Sequence, residues 1–277
     1  MAVSGTLFVV STPIGNLDDL TFRALRVLKE AGVIACEDTR HTKKLLDHYG
    51  IKRPLVSYHE HNENERAVEL VGRLQRGESI ALVSDAGTPL LSDPGYRIVA
   101  RARQEGIPVV PVPGASALLA ALAASGLPTD AFHFAGFLPP KPAARRKLLE
   151  SLRDEHATLV FYEAPHRILE ALADVEAILG QRDVVVAREL TKVHEEFLRG
   201  TAAEIGQLLA ARGSVKGEIT LLVARGRQAS AGSGSVEEAV DALSAAGMPR
   251  MEAIKTVARE RGLSKREVYR RAHEPEH

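Results

Sequence analysis

Along the first 137 residues, short β-rich apolar runs alternate with longer stretches whose apolar side chains recur at helical spacing. Thr6 to Ser11, Val33 to Glu37, Ser79 to Ser84 and Val109 to Val112 read as strands. Between them, Leu20, Ala24, Val27 and Leu28 share one helix face, as do Ala67, Leu70, Val71 and Leu74. Strand-helix-strand units of this kind feed a mainly parallel sheet, so the expected fold class is α/β. Every one of these strands runs into a loop rich in Gly, Pro or acidic residues: TPIGNLDD, CEDTR, SDAGTPLLSDPG and VPGASA. Ligands of open parallel sheets bind outside the carboxyl ends of the strands, which makes these loops the place to look for chemistry.

The rhythm breaks at GFLPPKPAARRK, Gly136 to Lys147, with three prolines and four basic residues. A first α/β domain is therefore expected over 1–137 and a second over 138–226. In the second, TLVFYEAP, DVVVAREL and GEITLLVARG read as strands and the segment after Pro165 as a helix. RQASAGSGS, residues 227–235, reads as a flexible linker. The remainder, 236–277, is a helical tail of three short helices, VEEAVDALSAAG, PRMEAIKTVARERG and SKREVYRRA. From Pro249 to Arg271 it carries eight basic and three acidic side chains, with Ser264 placed to cap the last helix. That pattern fits a helix-turn-helix-like unit, and it fits equally a solvated helical bundle.

Composition narrows the classes further. Lys and Arg number 36 and Asp and Glu number 36, so any contact with a polyanion has to be local. Trp is absent and aromatics make up 4%, which puts phosphate contacts ahead of base stacking in any RNA surface. The single cysteine, Cys36, excludes an internal disulfide and reads as a small buried residue; a reducing cytosol and no membrane span are expected. G-x-G-x-x-G after the first strand, G-x-x-x-x-G-K-[ST], H-E-x-x-H and G-x-S-x-G are all missing, which removes support for dinucleotide redox, P-loop, zinc-protease and serine-hydrolase chemistry. His59 and His61 in SYHEHNE lack further placed ligands, and no metal is expected.

Two loops stand out. Ser84 to Gly95 holds two Gly and two Pro in twelve positions, longer and stiffer than a strand-to-helix turn needs. Gly114 to Ser116 opens an Ala-rich helix, which suits either a ligand at the helix N-terminus or tight interior packing. Glu37 and Asp38 serve either as proton acceptors or as caps of the helix that Thr39 and Arg40 open.

Taken in order and spacing, STPIGNLDDLT, CEDTR, YHEHNE, ALVSDAGTPLLSDPG, VPGASA, LVFYEAPHR, ARELTK and GEITLLV resemble the ribosomal RNA small subunit methyltransferase I family, within the tetrapyrrole-methylase-like methyltransferases. Related cobalamin and sirohaem methylases carry Gly-Asp-Pro where this chain has Ser84, Asp85 and Ala86, a departure that favours an RNA acceptor. The resemblance implies two α/β domains with the cofactor cleft between them, a helix-turn-helix-like appendage and a homodimer. It implies S-adenosylmethionine as cofactor and the ribose 2'-hydroxyl of a decoding-centre cytidine in 16S ribosomal RNA as acceptor. It places the cofactor against Pro13, Ile14 and Gly15, against Asp85, Ala86, Gly87 and Thr88, and against Gly114, Ala115 and Ser116. Tyr162, Glu163 and Ala164, with Lys216, Gly217 and Glu218, complete that set.

Methyl transfer to an alcohol requires alignment of donor and acceptor and removal of a proton. Glu37, Asp38, Arg40 and Asp85 are the candidates for that work, with His59, Glu60 and His61 behind them. Arg188, Glu189 and Lys192 belong either to an RNA-receiving rim or to a surface ion-pair cluster. The nearest basic clusters for RNA are Lys141, Arg145, Arg146 and Lys147, and in the tail Lys265, Arg266, Arg270 and Arg271. A tetrapyrrole or other metabolite as acceptor, and a non-enzymatic RNA-binding protein, are the alternatives.

Overall fold

The structure is a computed structural model and describes residues 4–226, 235–261 and 263–272. The first compact unit, Met1–Arg225, contains two five-stranded sheets. In chain order, the elements of its first half are β1 (Leu7–Val10), α1 (Phe22–Glu30), β2 (Val33–Cys36), α2 (Thr39–His48) and β3 (Leu55–Ser57). Then come α3 (Glu63–Gln75), β4 (Ile80–Leu82), α4 (Tyr96–Gln104), β5 (Val109–Val112) and α5 (Ala117–Ser125). The second half has β6 (Phe132–Phe137), α6 (Pro142–Ser151), β7 (Thr158–Glu163), α7 (Ile168–Leu179), β8 (Val184–Arg188), β9 (Glu196–Gly200), α8 (Ala202–Ala210) and β10 (Ile219–Val223).

The first sheet is wholly parallel, in the order β3-β2-β4-β1-β5. Alternation along β2 shows how both faces are used. Val33 and Ala35 pack toward Leu70 and Leu74 of α3 and Ile98 of α4, whereas Ile34 and Cys36 pack toward Val27 and Leu28 of α1 and Leu46 of α2. The second sheet, β6-β7-β10-β8-β9, is mixed: β6 runs parallel to β7 and the other pairs are antiparallel. α6, α7 and α8 cover one of its faces. Leu118, Ala121 and Leu122 of α5 cover the other, against Val160, Val185, Ala187 and Leu222.

The observed β1, β2, β4, β5, β7, β8 and β10 lie within the runs expected to be strands. Three strands were not expected: β3, β6 and β9. β6 carries a further consequence for the boundary, because Phe132–Phe137 pairs with β7 and the chain changes sheet between β5 and β6, ahead of residue 138.

The second unit, Gly226–His277, has α9 (Val236–Ala245), α10 (Arg250–Arg261) and α11 (Lys265–Arg271) around its own small core of Val240, Ala253, Ile254, Val257 and Val268. Ser264 caps α11 by accepting from the Glu267 amide. Residues 227–234, read from sequence as most of a linker, lie outside the described residues. Among the described residues, no helix is long and apolar enough to cross a membrane.

Candidate functional site

The carboxyl ends of β1, β4 and β5 are laced together by hydrogen bonds. Thr12 and Gly87 form a two-way backbone bridge, with N to O distances of 2.9 and 3.1 Å. The buried Thr12 hydroxyl donates to the Ser84 carbonyl at 3.1 Å. Ser11 Oγ and Thr88 Oγ1 lie 2.9 Å apart, and Thr88 Oγ1 donates to the Ala115 carbonyl at 3.3 Å. Gly87, at φ +78°, adopts the left-handed backbone that this bridge demands.

These loops form one wall of a cleft of about 380 Å³ whose other wall comes from the second sheet. Ile14 and the 85–93 loop face Tyr162 to Pro165 at the end of β7, Ala187 and Leu190 around the end of β8, and Glu218 to Thr220 at the start of β10. Ser116 and Ala117 close it from α5 and Phe137 from β6. The Tyr162 ring meets Phe134 and Phe137 edge to face, at centroid distances of 4.9 and 5.5 Å. Non-glycine residues with positive φ cluster in the two loops beside it: Leu90 (74°), Ser92 (68°), Glu189 (53°) and Thr191 (66°). Strain of this kind persists where the surrounding structure over-determines it.

Glu163 is the most confined carboxylate in the cleft, with its side chain at 0% exposure. Its Oε1 accepts from the Ala164 amide at 2.7 Å and pairs with Arg167 Nη2 at 2.7 Å. Its Oε2 is buried and has no hydrogen-bond partner. On the same wall, Lys192 Nζ bridges Glu189 Oε1 and Glu218 Oε2 at 2.8 and 3.0 Å. That hydrogen bond from Lys192 holds the Glu189 carboxyl below its ordinary value. Arg188 pairs with Glu196 and donates to the Lys216 carbonyl, so the ARELTK segment is an ion-pair network at the cleft edge.

Of the residues expected from sequence, Ile14, Asp85, Ala86, Gly87, Thr88, Ser116, Tyr162, Glu163, Ala164 and Glu218 line the cleft. Pro13, Gly15, Gly114, Ala115, Lys216 and Gly217 do not. Several of these stand behind the wall. A Cβ on Gly114 would come within 2.9 Å of Ser11 Cβ, and one on Gly15 within 2.5 Å of Lys192 Cγ.

Glu37, Asp38 and Arg40 lie outside the lining, and of the two roles left open for Asp38 the structure displays the helix cap. Asp38 is the N-cap of α2, accepting from the Arg40 amide at 2.8 Å and pairing with its guanidinium at 2.9 Å. The Arg40 hydrogen bonds hold its carboxyl at about 2. Its backbone N–H in turn donates to Asp85 Oδ1 at 3.1 Å. Burial raises the Glu37 carboxyl, with the Asp85 and Glu60 charges adding to the rise and His59 opposing it. His59 accepts a neighbour's company only locally, with Nε2 3.3 Å from Asn62 Nδ2 and its ring 5.8 Å from that of His61. Among the described residues, no group of three or more His, Cys, Asp or Glu could hold a metal ion.

Arg145 is also corrected. It is 2% exposed inside the second half of the chain, paired with Asp174 and Glu170, and so does not present its charge to a polyanion. Lys141, Arg146 and Lys147 on the same helix are exposed, as are Lys265, Arg266, Arg270 and Arg271 on α11.

Asp93, Leu91 and Ser92 belong to the lining and were not singled out from sequence. Asp93 is the most informative of them, since it sits in the same 84–95 loop, whose composition marked it as unusual. Phe137, Ala187 and Leu190 carried no such mark, since apolar residues at strand ends look like core.

The chain matches the family of Tetrapyrrole (Corrin/Porphyrin) Methylases over residues 6–206. It is 51% identical over 276 residues to a Halalkalibacterium halodurans protein named ribosomal RNA small subunit methyltransferase I, covering 98% of this chain and 95% of that one. A Pseudomonas aeruginosa protein of the same name is 50% identical, covering 97% of each chain. Among solved structures, a diphthine synthase superposes with a TM-score of 0.61 at 15% identity, covering 79% of this chain and 90% of that one. A Thermus thermophilus uroporphyrin-III-C-methyltransferase gives 0.57 at 22%, covering 80% and 94%. These two show the fold alone, whereas the near-full-length relatives are specific: the chain belongs to the tetrapyrrole methylase family and, within it, to the ribosomal RNA small subunit methyltransferase I proteins.

Proposed function

We propose that this chain methylates the ribose 2'-hydroxyl of the decoding-centre cytidine, position 1402, of 16S ribosomal RNA. The observation that carries the reading is identity of about half over nearly the whole length, cleft and helical tail together, to proteins named for small-subunit ribosomal RNA. S-adenosylmethionine is the cofactor of this family. The cleft suits it: Ile14, Leu91, Ala187 and Leu190 give it apolar walls, and the unpartnered Glu163 Oε2 offers an acceptor to an N–H donor. When bound, the cofactor supplies a methyl group activated on a sulfonium.

The chain's own part is positioning and proton removal. The Thr12–Gly87 bridge fixes the floor of the cleft, and the Lys192 bridge between Glu189 and Glu218 fixes its edge. Exposed Lys141, Arg146 and Lys147, and the tail's Lys265, Arg266, Arg270 and Arg271, are the groups proposed to meet the RNA backbone. A cytoplasmic homodimer acting on the small ribosomal subunit completes the proposal.

The test is incubation with labelled S-adenosylmethionine and small subunits from a strain lacking the endogenous enzyme, with the modified nucleotide mapped by mass spectrometry. A 2'-O-methylcytidine in the decoding region is the expected product. Cofactor binding with label on a tetrapyrrole and none on RNA overturns the acceptor.

A further inference from the structure

β6 lies at the edge of the second sheet, and each of its faces is defined by what packs on it. Phe134 packs into the cluster that α5 forms on one face, and Ala135 packs on the other, under α6, α7 and α8. Strict alternation would put Gly136 on the α5 face and send Phe137 into the helix-covered interior. The pairing register differs: Phe134 lies opposite Val160 and Phe137 opposite Tyr162, so three steps along β6 match two along β7. Gly136, at φ +70°, takes up the extra residue, and the fully buried Leu138 fills the interior place instead.

The bulge therefore turns a large aromatic out of the core. Phe137 lines the cleft beside Tyr162, whose ring meets it edge to face at 5.5 Å, and it is 54% exposed. A Cβ on Gly136 would stand 3.5 Å from Ser92 Oγ, so the bulge abuts the 84–95 loop. From that loop Leu91 lines the same cleft and is 40% exposed. Bulges beside active sites re-aim side chains, and this one forgoes the burial of a phenylalanine to do so.

The use of an exposed ring at this place follows from the room available. The cleft's 380 Å³ is near the lower end of the roughly 300–1,000 Å³ of small-molecule sites, so it has room for the cofactor and leaves the acceptor to be met at the exposed rim. A ribose hydroxyl enters such a site only when its nucleotide leaves the stack of its neighbours, and the unstacked base then has two bare faces. Lys141 follows Phe137 by four residues, within roughly 14 Å along even a fully extended chain, and Lys141, Arg146 and Lys147 are exposed. An RNA backbone held by these cations brings its bases within reach of the ring.

We propose that Phe137 is the platform on which the nucleobase of the acceptor nucleotide stacks, a role that rests on the RNA methyltransferase reading given above. Tyr162, edge to face with both Phe134 and Phe137, sets the tilt of the platform. Every base has a π face, so the ring holds the nucleotide in place without choosing its identity. With the base pinned at the rim, the ribose turns toward the interior of the cleft and its 2'-hydroxyl is aligned for transfer. One ring serves one base, which suits a chain with 4% aromatic residues.

The test uses the full-length protein and its Phe137→Leu, Phe137→Tyr and Phe137→Trp variants, with small ribosomal subunits from a strain lacking the endogenous enzyme. The wild type is measured first, since absence of label on RNA sinks the RNA methyltransferase reading itself and is told apart from failure of the platform. With labelling intact, F137L is expected to keep S-adenosylmethionine affinity within about threefold by calorimetry while kcat/KM for the subunits falls about 5- to 150-fold, the worth of one base stacked on an aromatic ring. F137Y and F137W, which restore a ring, should return to within about threefold of the wild type. Leucine keeps apolar bulk, so a merely structural role would not separate it from the ring-bearing variants. An F137L protein that methylates like the wild type overturns the assignment, as do ring-bearing variants no better than F137L. A roughly tenfold loss of cofactor affinity in F137L also overturns it, because the ring then stacks on the cofactor. Should F137L not fold, Phe137→Met, an unbranched apolar chain, is read in its place.

Discussion

Arg145 and Asp174 face each other inside the second half of the chain, with Nε donating to Oδ2 at 2.6 Å and side chains 2% and 5% exposed. Arg146 donates to the other Asp174 oxygen at 2.7 Å, and Arg145 reaches Glu170 at 3.3 Å, so two helices are joined by a partly buried charge cluster. Burial works against the Asp174 carboxylate, and the two arginines outweigh it and hold its value below the ordinary one. Arg145→Ala leaves Asp174 buried with half its partners; it should lower unfolding stability by about 3–5 kcal/mol in denaturant titrations. The salt dependence of RNA binding by the folded variant should stay that of the wild type.

The exposed lysines on the same helix should behave in the opposite way. Charge reversal at Lys141 and Lys147 leaves the buried cluster intact and removes two groups that face solvent. RNA affinity should fall and the slope of its logarithm against log salt should flatten by roughly one to two, with cofactor affinity unchanged. The paired change at Lys265 and Arg266 on α11 should do the same. Filter binding across a salt series reads both.

Glu163→Gln keeps the shape of the side chain and removes the charge that Arg167 balances. Because the partnerless Oε2 is the acceptor offered to the cofactor, the variant should raise the dissociation constant for S-adenosylmethionine about tenfold, the worth of one charge-assisted hydrogen bond. An unchanged value in calorimetry removes Glu163 from cofactor binding.

Glu196 ties β9 to Arg212 beyond α8 and to Arg188 on β8, at 2.6 and 3.1 Å. The Arg212 hydrogen bonds chiefly, with Arg188 helping and burial opposing, hold its carboxyl at about 2 against an ordinary 4.5. A depressed carboxylate contributes stability that is present above its unfolded value and disappears as pH falls through the folded one. Stability should therefore drop between about pH 4.5 and 2, and Glu196→Gln should remove that dependence. Because the group is a quarter exposed, solvent screening limits the loss at neutral pH to about 1–2 kcal/mol. Chemical denaturation at several pH values measures both effects.

Thr12 was not marked by the sequence, and it holds the two principal loops together. Thr12→Val preserves volume and deletes the donor to the Ser84 carbonyl, leaving a buried acceptor unpaired at about 1–3 kcal/mol. Since Ser84 and Gly87 begin the cleft wall, cofactor affinity should fall by several-fold along with the melting temperature.

What the sequence left unread follows one physical pattern. β3, β6 and β9, the strands without a signal, are all edge strands, at one end of the first sheet and both ends of the second. An edge strand has one neighbour, buries less and needs no continuous apolar run; the LVS of β3 is only half-buried throughout. β6 is further disguised by Gly136 at φ +70° and a register shift between Phe134 and Phe137. The central strands, buried on both faces, could be read directly. At the site, Gly, Pro and Asp in 84–95 were legible because backbone constraint leaves a compositional trace. Asp93 went unnoticed beside Asp85 because its facing the cleft is a property of three-dimensional placement.

α5 leaves the first sheet and lays an apolar helix, ALLAALAAS, on the second, so the chain's crossing between halves is itself part of the second half's interior. A hinge between β5 and α5 would therefore leave Leu118 and Leu122 seated on Val160, Val185 and Leu222, because α5 packs on the second sheet. The helix that follows the last strand of the first sheet thus belongs to the packing of the second, and the place where the chain passes from one half to the other is the short stretch Pro113 to Ser116.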